Sequence, residues 1–72
     1  MKDDRIVKLF GIRMRNARLV KGFTLVQMEQ LTGIAQATLS RYETGNREPT
    51  LSNVYKIVKA LRCNFDYMVG IQ

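Results

Sequence analysis

Residues 28–50 read MEQLTGIAQATLSRYETGNREPT, and two glycines, Gly33 and Gly45, set off a short segment between them. The segment from about Ala35 to Thr44 follows a helical period. At about 100° per residue, Gln36, Ala37, Ser40, Arg41 and Thr44 fall within an arc of about 140°, while Ala35, Thr38, Leu39 and Tyr42 take the other side. One side is fit to pack and the other is displayed. Gly33 supplies the left-handed backbone that lets a preceding helix stop and the chain turn.

Moving outward, the start of that preceding helix is also written in the residues. Thr24 is a good N-cap, Gln27 stands where a capping box needs it, and Phe23 and Met28 occupy the two ends of a hydrophobic staple. This predicts a helix from Thr24 to about Leu31 or Thr32. Upstream, a helix is expected from about Arg5 to Lys21, started by Asp3 or Asp4 and stopped by Gly22, with Ile6, Phe10, Met14 and Ala17 as its buried stripe. Downstream, NREP is a loop and Thr50 caps a fourth helix with Leu51, Val54, Ile57, Val58 and Leu61 on its apolar side. Asn64 caps a last short helix, FDYMV, closed by Gly70. No alternating β-branched run is present. The expected fold is all-α: five short helices with tight loops in one domain over residues 1–72, without a linker. The expected core is Phe10, Met14, Met28, Ile34, Leu39, Val54, Ile57, Val58, Leu61 and Phe65.

Composition narrows the function. Cys63 is the only cysteine and histidine is absent, so an internal disulfide and the usual zinc-ligand sets are both excluded. No metal and no cofactor is expected. No apolar run approaches the ~20 residues of a membrane span, and the opening MKDDRIVKLFGIRMR lacks the apolar stretch of a secretory signal. A cytoplasmic protein with no membrane contact is expected. Catalysis has no candidates: there is no Cys–His pair and no phosphate-cradling glycine loop, and Asp66 and Glu48 lack an obvious partner carboxylate. The formal charge is +6, from twelve Lys and Arg against six Asp and Glu. Residues 1–21 carry seven of those bases, Lys2, Arg5, Lys8, Arg13, Arg15, Arg18 and Lys21, against two acids. Such a balance fits a polyanionic partner.

Two short helices joined by a glycine turn, the second displaying polar and basic side chains, match the helix-turn-helix geometry that enters a DNA major groove. At MEQLTGIAQATLSRYETGNREPT and LSNVYKIVKALRCNFDYMVG the chain resembles the Cro and phage-repressor type of helix-turn-helix protein, the group of bacterial XRE-like regulators. The resemblance runs from about Phe10 to Gly70. It rests on apolar residues at Met28, Ile34, Leu39 and Tyr42, on Gly33, and on Glu-x-Gly at Glu43 to Gly45. It implies a lambda-repressor-like five-helix domain with the helix-turn-helix at about residues 24–44. The implied function is sequence-specific regulation of transcription, most of all repression of phage, mobile-element or restriction-controller type, by a homodimer on a near-palindromic operator. An internal ion pair between Arg18 and Glu43 is implied as well.

Four positions depart from that pattern. Glu29 stands where alanine is usual, so its carboxylate bends outward to solvent or the helices splay slightly; Leu25 replaces a common phosphate-contacting glutamine. Ala35 replaces a Ser or Thr cap, and Arg62 stands at a usual glycine after the fourth helix.

For the displayed face, a bidentate Gln matches adenine N6 and N7, and a bidentate Arg matches guanine O6 and N7. Gln36 and Arg41 are therefore the leading base readers. Ala37 suits a thymine methyl, and Ser40 a base or phosphate. Phosphate contacts are expected from Arg13, Thr24, Gln27, Thr38, Asn46, Arg47 and Asn53, by their places at helix starts and in the loop after the third helix. Arg47 has the minor groove as its alternative. Tyr67, Met68, Val69 and Ile71, in and after the short helix at about 64–69, exceed what so small a core hides, and the resemblance implies that this region lies in the twofold interface of a dimer. The competing reading is a protein-interaction module, such as an antitoxin or anti-repressor partner. Against it, the displayed face of the third helix has no acid and carries Arg41.

Overall fold

The computed structural model describes residues 3–71; Lys2, part of the basic cluster, lies outside them. Asp3 accepts a hydrogen bond from the Arg5 N–H at 3.0 Å and starts α1, Asp4–Lys21. Thr24 starts α2, Leu25–Thr32, and α3 follows as Gln36–Glu43. Thr50 caps α4, Leu51–Leu61, and Asn64 caps α5, Phe65–Val69. Among the described residues all regular structure is helical.

Four of the five helices end alike. After α1, Gly22 donates to the Leu19 carbonyl and Phe23 to Arg18, and the same paired closure recurs after α3, α4 and α5. Each closure satisfies carbonyls that the helix leaves open and needs one residue in the left-handed region. That residue is glycine after α1, α3 and α5, but Arg62 after α4, with φ 53° and ψ 40°.

α1 is the hub: it packs against α3, α4 and α5, while α2 packs against α3 and α4. Met14, Met28, Leu39, Ile57, Leu61 and Met68 are fully buried where these helices meet, with Phe10, Ile34 and Tyr42 nearly so. Val54 and Val58 are half-buried against this core.

Two expectations for the core are corrected. Ile6 is 46% exposed, and the buried line of α1 runs through Val7, Phe10, Gly11 and Met14, one residue off the expected stripe at its start. Phe65 is 43% exposed, because a helix of little more than one turn turns a single side chain inward, and that side chain is Met68.

Gly11 was absent from the expected set, yet it decides how closely α1 and α3 approach. A Cβ at this position would collide with the carbonyl oxygens of Tyr42 and Glu43. The lone glycine inside a helical pattern was the available signal, since it costs about 1 kcal/mol relative to alanine and calls for a packing reason.

Candidate nucleic-acid interface

The interface is built from α2, the turn after it and α3. At the start of α2 the capping box is complete: the Gln27 N–H donates to Thr24 Oγ1 at 3.1 Å, and the Thr24 N–H donates to Gln27 Oε1 at 2.8 Å. Because Oε1 is turned back to the chain, the Gln27 amide NH2 is the part left to donate outward.

The turn is closed by α2 itself. The Gly33 N–H donates to the Glu29 carbonyl at 2.8 Å. Buried Thr32 donates through Oγ1 to the Met28 carbonyl at 2.7 Å and accepts from the Ile34 N–H at 3.1 Å. Ala35, at the N-cap position of α3, makes no side-chain cap bond; the Gln36 N–H instead donates to Glu29 Oε1 at 2.9 Å. The Glu29 carboxylate therefore bends across the turn to the start of α3, where it meets one of the amides that a helix start leaves open.

On α3, Gln36, Ala37, Arg41 and Thr44 are exposed, with Thr38 and Ser40 half-buried at the edges. The Thr44 hydroxyl turns back to the carbonyls of Ser40 and Arg41, both at 3.2 Å. Behind this surface Leu39 and Tyr42 are buried.

Two further contacts hold the inner side. Arg18 Nε donates to Glu43 Oε2 at 2.7 Å, Nη2 donates to Oε1 at 3.1 Å, and Nη1 donates to the Phe23 carbonyl at 2.9 Å. The two side chains are only 11% and 6% exposed. The hydrogen bond to Glu43 raises the guanidinium pKa, burial opposes it, and the Glu43 charge adds to the rise. A bidentate pair of this kind constrains direction as well as distance, so it sets the end of α3 on α1 and on the chain entering α2. The second contact joins Asn53 Nδ2 to the Tyr42 hydroxyl at 2.9 Å.

Three expected roles change. Arg13 donates to the Tyr67 carbonyl and stacks over the Tyr67 ring, 4.5 Å from its centroid, so its guanidinium is engaged by α5 rather than held out for a phosphate. Asn53 turns its amide inward because the buried Tyr42 hydroxyl needs a partner there. Met68, expected at a dimer surface, is fully buried, and the exposed residues around it are Tyr67 and Ile71, with Val69 half-buried. Thr24, Asn46 and Arg47 are exposed at the start of α2 and in the loop after α3.

Away from this face, burial pushes the Cys63 thiol pKa up, against smaller opposing effects of a backbone hydrogen bond and the Lys21 charge. A half-buried thiol shifted in that direction is a weak nucleophile at neutral pH. Among the described residues no helix is long and apolar enough to cross a membrane.

Comparison with known proteins places this geometry. The chain is 30% identical over 61 residues to the SPbeta prophage-derived uncharacterized HTH-type transcriptional regulator YonR of Bacillus subtilis (strain 168), covering 85% of this chain and 56% of that protein. It thus spans just over half the length of that relative. The restriction-modification controller protein C.AhdI from Aeromonas hydrophila superposes with a TM-score of 0.81 at 27% identity, covering 86% of this chain and 94% of the other. The P22 c2 repressor protein, in complex with synthetic operator 9T in the presence of Tl+, superposes with a TM-score of 0.78 at 27% identity over 83% of this chain and 91% of its own. Residues 14–68, from the middle of α1 into α5, match the family model itself, and with the glycine turn and exposed third helix inside that span the chain belongs to the Helix-turn-helix (HTH_3) family.

Proposed function

We propose that the protein is a sequence-specific double-stranded DNA-binding regulator of transcription, a repressor of phage, mobile-element or restriction-controller type. The observation that carries this is the outward side of α3: Gln36, Ala37 and Arg41 are exposed, and buried Leu39 and Tyr42 lie directly behind them. In the major groove Gln36 pairs with an adenine edge and Arg41 with a guanine edge, each worth about 1–3 kcal/mol of discrimination. Ala37 lies against a thymine methyl, and Ser40 and Thr38 bond at the margins. The Gln27 amide, Thr24, Asn46 and Arg47 hold phosphates and set the register without reading bases.

The protein acts as a homodimer. Ile6, Leu51, Phe65 and Val69 line an apolar groove between the starts of α1 and α4 and helix α5, and Tyr67 and Ile71 are exposed in and after α5. Pairing two copies through this side sets two α3 helices about 34–36 Å apart on a near-palindromic site.

Selection of bound duplexes from a random pool, followed by titration at several salt concentrations, tests the proposal. Gln36→Ala with Arg41→Ala should abolish the selected preference while the fold is retained. Arg47→Ala should weaken all duplexes alike and flatten the salt dependence. A folded double variant that discriminates among duplexes as the parent does would remove the proposal. Sedimentation at high micromolar concentration tests the dimer, and a strictly monomeric species would refute it.

A further inference from the structure

α3 begins at Ala35, whose side chain has no atom able to cap a helix, yet the Gln36 N–H is bonded. Its partner belongs to a different helix. Glu29 lies one turn before the end of α2, and both its acceptors serve the turn: its carbonyl takes the Gly33 N–H at 2.8 Å and its carboxylate Oε1 takes the Gln36 N–H at 2.9 Å. We propose that Glu29 is a positioning residue for DNA recognition, a clasp between α2 and α3 that meets the Gln36 N–H, an amide no side chain at position 35 serves, and fixes the first turn on which Gln36 is carried. The inference rests on the DNA-binding role of Gln36 proposed above.

The physical argument has two parts. A carboxylate at a helix start satisfies an open N–H and meets the positive end of the helix dipole, so it stabilises the first turn. A serine or threonine at position 35 would stabilise the same turn through the Ala37 or Thr38 N–H and leave the angle between the helices free. Glu29 does it from α2, so the same hydrogen bond that orders Gln36 also ties the direction of α3 to that of α2. Because Glu29 is exposed, the clasp acts locally and adds little to global stability.

Hydrogen exchange of the Gln36 amide in the full chain, read by NMR beside duplex selection, tests the clasp. Glu29→Ala should speed exchange at Gln36 about fivefold and reduce the preference at one base position by a similar factor, in line with the usual worth of a cap. Glu29→Gln keeps an acceptor oxygen and should retain most of both. Adding Ala35→Ser to Glu29→Ala supplies a hydroxyl for the Ala37 or Thr38 N–H but none for Gln36: exchange at Gln36 should stay fast and base preference should recover only in part. Unchanged exchange in Glu29→Ala would overturn the clasp, and faster exchange with unchanged base preference would overturn its role in recognition. A parent chain without any duplex preference would refute the DNA reading, and exchange at Gln36 would then decide the clasp alone.

Discussion

The two ends of α3 are held by different means. At its last turn the backbone lies against Gly11 of α1, and Glu43 is locked by a bidentate, part-buried Arg18. At its first turn one exposed hydrogen bond from Glu29 crosses to Gln36, and Ala35 contributes no cap. The far end is therefore set by excluded volume and desolvated charge, and the near end by a bond that competes with water. A helix anchored in this way has a firm base and a first turn that can adjust, and the proposed base reader Gln36 sits on that adjustable turn.

Breaking the anchored end should have the largest effect. Glu43→Ala leaves a guanidinium with little access to water, and removal of one partner from such a pair costs about 3–5 kcal/mol. Urea denaturation should show a loss of that order, and a loss below about 1 kcal/mol would mean that Arg18 finds solvent. Gly11→Ala should follow, at about 1–3 kcal/mol from overpacking, somewhat offset by better helix propensity, because backbone carbonyls cannot move aside as a side chain can. A melting temperature equal to or above the parent's would contradict the close approach of α1 and α3. Tyr42→Phe removes the partner of Asn53 and should cost about 1 kcal/mol, read by the same denaturation. Smallest is Ala35→Ser in the parent, expected to stabilise by about 0.5 kcal/mol, since a serine there meets the Ala37 or Thr38 N–H while Glu29 meets only that of Gln36. No gain in a thermal melt would show that the first turn of α3 holds no open amide for a serine to meet.

Much of this arrangement was legible in the residues because it is local. Thr24 with Gln27 marks the start of α2, Gly33 its end, and the period between Gly33 and Gly45 separates buried Leu39 and Tyr42 from exposed Gln36 and Arg41. What escaped depends on elements distant in sequence. Arg13 and Tyr67 meet only because α5 lies on α1, and Asn53 turns inward only because α4 passes the Tyr42 hydroxyl. Met68 rather than Phe65 reaches the core because of how one short helix is rotated, which a five-residue period does not determine. Glu29 is unusual for its place in the sequence, but only the position of α3 reveals what its carboxylate meets.

Arg62 holds a backbone conformation that a side chain makes unfavourable by about 1–2 kcal/mol. On that scale the unfolded share of molecules is some five- to thirtyfold larger than in an otherwise equal chain with glycine there. Arg62→Gly should therefore slow proteolysis that draws on opened molecules in the same proportion, measured by timed digestion of parent and variant.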